Sequence, residues 1–415
     1  MTRLLFVHQN MPGQYRETVA ALSRMPGREI VFLTQRRDLP DVPGVRRVVY
    51  APHHKADADA YGLARVWEDA AGAGYGAARA AAALKADGFT PDLILGHTGW
   101  GEMLFLREVW PDAPMLGLFE YYYRASGGPV GFDPEEPVGE HAPFLLSARN
   151  AVPNAMLPLV DRGYAPTVWQ KGTFPDTFQS KLYVGHEGIR TDLLTPDPDA
   201  SIALGRAGRL TRADEVVTYV ARNLERTRGF HVLMRALPRL LSERPHARVV
   251  IVGGTEVSYG KASGEAGGFR AEMEAEVGDR VDWDRVHFVG RVPYDAFRRL
   301  VQVSRCHVYL TMPFVLSWSL LEAMAMGATV VASDVAPVRE AVTHGRTGLL
   351  VDYFDPDALA AQVAEVCADP DRFAPLGRAA RDHAVAAYDF RAVCLPRHVA
   401  EMNALLPRDR HIRVA

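Results

Sequence analysis

Lysine is almost missing from this chain: of 47 basic residues only five, at 55, 85, 171, 181 and 261, are lysines. The bias points to a GC-rich, bacterial coding sequence and carries no chemistry. Cysteine is equally scarce. Cys306, Cys367 and Cys394 stand far apart with no CxxC pair, which excludes a disulfide framework and a cysteine-built zinc site. Three free thiols suit a reducing, cytoplasmic compartment. No apolar run approaches the roughly 20 residues of a membrane span. The apolar stretch after Met1 is too short for a secretory signal. The fingerprints GxGxxG, HExxH, GxSxG and GK[ST] are also missing. Charge of one sign is missing too: the formal net charge is −3, so no global field draws the chain to nucleic acid. Arg36-Arg37 and Arg46-Arg47 read as solvated surface. Asp57-Ala58-Asp59 and Asp282-Trp283-Asp284 match DxD but sit in turns, so no metal site is expected from them.

What the chain does have is length and periodicity. Its 415 residues, 48% hydrophobic and 23% charged, suit two globular domains. Leu4–Val7, Ile30–Thr34, Arg47–Tyr50, Asp92–Gly96 and Met115–Phe119 are short apolar runs, with helical stretches between several of them. After a Pro/Asp-rich segment from Leu194 to Asp199 the pattern restarts. Val216–Val220, Arg248–Gly253, Val286–Gly290, Val308–Thr311 and Thr329–Ala332 are its strands. Alternation of this kind predicts two doubly wound parallel sheets in tandem. The expected domains are 1–195 and 196–389. Ligands of such folds bind outside the carboxyl ends of the strands.

Four constellations lie where those strands end. The first is Ser319-Leu320-Leu321-Glu322-Ala323-Met324-Ala325-Met326-Gly327, an apolar helix face that carries one carboxylate. Glu322 in a first helical turn would suit the helix dipole and could accept both ribose hydroxyls; on spacing alone a plain helix-start glutamate fits as well. The second is Arg222-Asn223-Leu224-Glu225-Arg226-Thr227-Arg228-Gly229. Two arginines beside a helix start can clamp a diphosphate, or form a surface cluster in an Arg-rich chain. The third is Asn10-Met11-Pro12-Gly13-Gln14, where Gly13 lets backbone N–H groups approach a phosphate, or simply turns the chain. The fourth is His97 together with Glu120 and the tyrosines that follow it. Tyr122 and Tyr123 could stack on a sugar or pack inside.

The Glu322 segment resembles the glutamate motif of the family 4 retaining glycosyltransferases, which have the GT-B fold. Ser333-Asp334, Pro337-Val338-Arg339-Glu340 and Gly345–Val351 are similar to the same family. His8-Gln9-Asn10-Met11-Pro12-Gly13-Gln14, His97–Glu102, Pro166–Gln170 and Phe314–Ser319 resemble a bacterial subgroup of it. One departure stands out. Eight positions before Glu322 the wider family carries a second Glu, and this chain has Phe314.

The resemblance implies two Rossmann-like domains facing each other across a cleft, an N-terminal acceptor domain and a C-terminal donor domain. It also implies a C-terminal helix, about 390–415, that returns to the first domain. A sugar would pass, with retention, from a UDP- or GDP-sugar to a hydroxyl acceptor, which could be a small molecule, a glycan or a lipid-linked group. No cofactor and no metal is implied, since the nucleotide sugar is a substrate. Location would be cytoplasmic, with peripheral membrane attachment open through a lipid acceptor. The implied catalytic residues are His97, Arg222 and Arg228. Gly13, Arg291, Val292, Leu316, Ser317, Trp318, Ser319 and Glu322 would join the arginines in holding the donor. Gln14, Glu120, Tyr122 and Tyr123 would face the acceptor. Two readings of other classes remain open: a catalytically silent binding protein, suggested by Phe314, and a sugar-nucleotide epimerase of the same fold. A nicotinamide dehydrogenase is more distant, because the glycine fingerprint is missing.

Overall fold

The structure, a computed structural model, describes residues 1–205, 208–260 and 263–414. It divides into two compact units: Met1–Gly188 with Phe390–Ala415, and Ile189–Asp389. The change of unit falls after Gly188 rather than after residue 195. The reason is that the connecting segment is already bonded to the second unit. Arg298 donates to the Leu193 carbonyl, Gln302 to that of Thr195 and Arg381 to that of Leu194.

Unit 1 is built on β1 (Thr2–Val7), β2 (Arg28–Thr34), β3 (Val45–Val49), β4 (Leu93–His97), β5 (Met115–Leu118), β6 (Arg162–Ala165) and β7 (Leu182–Val184). They form one seven-stranded sheet in the order β3-β2-β1-β4-β5-β6-β7, all neighbours parallel. Leu4, Leu5, Phe6 and Val7 are fully buried. A central strand covered on both faces must read as an unbroken apolar run. The C-terminal helix Leu395–Leu405 packs into this unit. Leu395, Val399 and Met402 join Leu4, Phe6 and Leu95 in one core cluster. Arg162 pairs with Glu401, and Tyr183 meets His398 at 2.9 Å.

Unit 2 opens with a small antiparallel hairpin, β8 (Ser201–Ala203) and β9 (Arg209–Thr211), that the sequence patterning did not suggest. Its main sheet holds β10 (Val216–Asn223), β11 (Arg248–Gly254), β12 (Val286–Gly290), β13 (Cys306–Tyr309), β14 (Val330–Ser333) and β15 (Leu349–Val351). All are parallel, in the order β12-β11-β10-β13-β14-β15. In each sheet the winding reverses beside the first strand, between β1 and β4 and between β10 and β13. Loops there diverge to opposite faces and leave a crevice at the strand ends, the usual ligand position in open α/β sheets. Among the described residues no helix is long and apolar enough to cross a membrane.

Candidate functional site

At the reversal point of unit 2, β10 runs into a tight turn, Arg226–Arg228, and then into the 14-residue helix Phe230–Glu243. Gly229 joins the two with φ +66°, and a Cβ there would stand 2.4 Å from that of Leu310. A side chain would be strained on both counts. The turn is locked by Tyr219, whose hydroxyl donates to the Arg228 carbonyl at 2.6 Å, and by Met312 N–H, which donates to the Thr227 carbonyl at 2.9 Å.

Arg228 itself is only 8% exposed. Its Nη1 donates to Thr311 Oγ1 at 2.9 Å and to the Val315 carbonyl at 3.0 Å. Its guanidinium also lies 5.6 Å from the Tyr259 ring centre and 5.8 Å from that of Phe314. Among the described residues Nε and Nη2 find no acceptor and no carboxylate forms an ion pair with it. A buried cation with no counter-charge is costly. Neutral acceptors and two ring faces offset part of that cost; an anion would offset more.

The loop beside it is held by a buried carboxylate. Glu225 Oε2 accepts from the backbone N–H groups of Ser258, Tyr259 and Gly260 at 3.2, 3.0 and 3.0 Å. This fixes Tyr259 edge-on to Phe314, with ring centres 5.0 Å apart. Glu225 was not singled out from sequence, because one acid inside an Arg-rich run gives no sign of which backbone it will hold.

Of the other expected donor residues, Glu322 is 7% exposed, and its Oε1 accepts from Tyr294 at 2.7 Å. It lies in the second turn of Trp318–Ala325, not the first, because Ser317 is the N-cap and takes the Ser319 N–H. The helix dipole therefore acts on it more weakly than it would in the first turn. The Ser317 N–H goes to the Tyr309 hydroxyl at 2.8 Å. Thus the Ser317 and Ser319 N–H groups, expected to meet a ligand, have protein partners. Leu316 is buried and Trp318 half-buried. Arg291 is exposed and reaches Asn223 at 2.9 Å and Glu256 at 2.5 Å, while Val292 packs on the apolar cluster around Leu300. Arg222 is exposed, and its side chain has no hydrogen bond or ion pair among the described residues, so the two arginines of the expected clamp have unlike surroundings.

The reversal point of unit 1 gathers a hydrogen-bonded chain. His8, at the end of β1, meets Gln14 Oε1 through Nε2 at 2.8 Å. Gln14 Nε2 donates to Glu120 Oε1 at 2.9 Å, and His97 Nε2 lies 3.3 Å from Glu120 Oε2. Both rings accept a backbone N–H on Nδ1, from Asn10 at 2.9 Å and from Gly99 at 3.0 Å. That leaves the proton on Nε2 in each, aimed at Gln14 and Glu120. Burial, then the neighbouring His97, pushes the His8 pKa down to about 3. Burial opposes ionisation of Glu120, but its contact with His97 and the hydrogen bond from Gln14 outweigh it and hold its carboxyl below the usual value. Gly13, φ +54°, lets the His8 ring sit against the loop. Tyr122 is drawn toward the core against Phe174 and Phe178 and is not a free sugar platform. Tyr123 is fixed by Asn150, which bonds both its N–H and its carbonyl. Among the described residues no group of three or more His, Cys, Asp or Glu is placed to hold a metal ion.

Comparison with known proteins follows the same division. Residues 26–194 match a family described as "Glycosyl transferase family 4 group", and residues 214–369 one described as "Glycosyl transferases group 1". A D-inositol 3-phosphate glycosyltransferase of Streptomyces scabiei is 31% identical over 301 residues, which is 70% of this chain and 62% of that protein. The chain spans about half the length of similar enzymes from Streptomyces avermitilis and Thermobispora bispora. Sucrose-phosphate synthase of Thermosynechococcus elongatus superposes with a TM-score of 0.72 at 18% identity, covering 97% of this chain and 99% of that one. Anabaena HepE, solved in complex with UDP and glucose, gives 0.68 at 16% identity, covering 98% and 100%. The fold is that of the GT-B glycosyltransferases: two Rossmann-like domains, each with its own parallel sheet.

Proposed function

We propose that this chain is a retaining glycosyltransferase that moves a sugar from a UDP- or GDP-sugar to a hydroxyl acceptor. The observation that carries the reading is Arg228, a buried guanidinium that has no ion-paired carboxylate among the described residues, at the reversal point of the second sheet. The donor's diphosphate supplies the missing charge. As the sugar–phosphate bond breaks, negative charge grows on the departing diphosphate, and a cation already in place stabilises it without reorganisation. Arg222, exposed nearby in the sequence, adds to this as a mobile cation. Glu322 takes the ribose hydroxyls, its Oε1 held by the Tyr294 hydroxyl. The backbone near Arg291 and Val292 meets the base. No side chain is committed as a nucleophile. Attack on the face that the diphosphate leaves, with its oxygen taking the acceptor's proton, then needs neither metal nor protein base. Glu120, Gln14 and the His97 edge belong to the acceptor side in unit 1.

Calorimetric titration with UDP and GDP tests the reading. Arg228→Ala should lower nucleoside-diphosphate affinity by about 2–5 kcal/mol, the usual cost of removing a buried charged partner. Arg228→Lys, which keeps charge but loses the fork, should fall between. Wild-type affinity in Arg228→Ala, or a wild type that binds neither nucleotide, would sink the proposal.

A further inference from the structure

We propose that the acceptor is a hydroxylated ring, a sugar or a cyclic polyol, and that it stacks on the indole of Trp100; this rests on the transferase reading above. Trp100 follows the end of β4, at the reversal point of the first sheet. It is 47% exposed, although one face of its ring is already used. That face lies on the His97 imidazole, with ring centres 5.5 Å apart and planes 28° apart. The residues on either side of it are both anchored. Gly99 donates its N–H to His97 Nδ1 at 3.0 Å. Gly101, φ +101°, is pressed so closely on the helix Arg65–Ala86 that a Cβ would stand 2.2 Å from the Ala70 carbonyl oxygen. The indole is therefore held from below and from both sides of the chain, and its remaining area faces outward.

A large aromatic face held rigid in water is a poor use of apolar surface unless something covers it. What surrounds it selects the occupant. The same His97 ring that supports the indole gives its edge to Glu120, an ionised carboxylate whose side chain is 25% exposed, and Gln14 holds the other carboxylate oxygen. An acyl chain would need apolar walls in place of that carboxylate. A sugar or cyclitol presents C–H bonds on the face of its ring, which suit the negative face of an indole. Its rim of hydroxyls suits a carboxylate acceptor. Only a molecule with both features uses the platform and its neighbour.

The test is saturation-transfer NMR and calorimetry on the full chain without nucleotide. The probes are methyl α-glucopyranoside, methyl α-mannopyranoside, methyl β-N-acetylglucosaminide and myo-inositol, with sorbitol and glycerol as open-chain polyols. At least one ring compound should bind and receive saturation at its ring C–H protons, and the open-chain polyols should not. Trp100→Ala should weaken that binding about fivefold to tenfold or more, as loss of one stacked aromatic face does. Trp100→Phe should retain most of it, and Phe144→Ala, at an exposed aromatic elsewhere in unit 1, should change nothing. Binding of no ring compound, equal binding of open-chain polyols, or undiminished binding by Trp100→Ala would each overturn the proposal. Nucleotide affinity is read in a separate titration. A wild type that binds a ring polyol but neither UDP nor GDP therefore defeats the transferase reading while leaving Trp100 a sugar platform.

Discussion

The guanidinium of Arg228 stands 5.8 Å from the centre of the Phe314 ring, at the position where the resembling family places a carboxylate. The substitution decides the charge of the site. A carboxylate at 314 could pair with the buried arginine and share its charge with any anionic ligand. Phe314 is 5% exposed and covers the arginine with an aromatic face instead. That leaves the guanidinium charge unshared at this position, and the ring offers no hydrogen-bond acceptor.

Phe314→Glu should therefore weaken UDP and GDP binding by about 1–3 kcal/mol, because the new carboxylate competes for the guanidinium. Phe314→Leu keeps the site apolar and should lose less. Calorimetry on both variants checks the order. Tighter nucleotide binding by the Glu variant would show that Arg228 is not the anion partner.

Glu225 holds three successive backbone N–H groups, and with them the loop that carries Tyr259. Glu225→Ala leaves those donors without a partner and should cost about 1–3 kcal/mol in unit 2. The more specific signature is local. Amide exchange at Ser258, Tyr259 and Gly260 should accelerate well beyond that of β10. Unchanged protection at those amides would mean the loop is held by its own packing.

Strands covered on both faces were legible because burial forces continuous apolar runs: β1, β2, β4, β10 and β11 all show one. β6 was not. Its segment Arg162-Gly163-Tyr164-Ala165 has a glycine where the Phe119 ring and Leu182 would leave a Cβ only 2.6–2.7 Å. A tertiary contact thus removed the apolar residue that would have marked the strand. The β8–β9 hairpin was missed for a similar reason, since its strands are three residues each. At the site, the types of Arg228, Glu322, His97 and Gln14 could be read from motifs. Their partners could not. That Tyr122 turns inward and that Glu225 holds a loop depend on contacts distant in sequence; the Ser317 cap is local, to the Ser319 N–H, but the Glu322 motif alone does not say where its helix begins.

Gly229→Ala should be among the most damaging single changes in unit 2. It forces a Cβ into the left-handed region and against Leu310. The conformation alone costs about 1–2 kcal/mol, and overpacking adds about 1–3. Gly345→Ala is the control. It has φ +72° and nothing within 4 Å, so it carries only the first cost. Urea unfolding should place Gly229→Ala clearly below Gly345→Ala. Equal losses would show that Leu310 gives way at no cost.

Acid should loosen unit 1 before its carboxylates titrate in bulk. Burial, then the neighbouring His97, holds His8 down to about 3; burial, then His398, holds His186 down to about 3; burial holds His398 down to about 4. In the unfolded chain each returns to an ordinary value near 6.5. Between that value and the folded one, the unfolded state binds more protons than the folded state, so stability rises with pH across the window. The contribution is complete above about pH 6.5 and is lost as pH falls toward 4. Each histidine gives a slope of order 1 kcal/mol per pH unit. Glu120, held low, acts in the same direction at more acid pH. Hydrogen exchange at Leu5, Phe6 and Leu95, at the centre of the first sheet, reads the stability of this unit. It should show a steep fall in protection from pH 7 to pH 5 after correction for intrinsic rates. His8→Gln removes one titrating ring and should flatten the slope by one proton's share. A stability that is level across that range, or a variant with the wild-type slope, would mean that these rings exchange protons with solvent while the sheet stays folded.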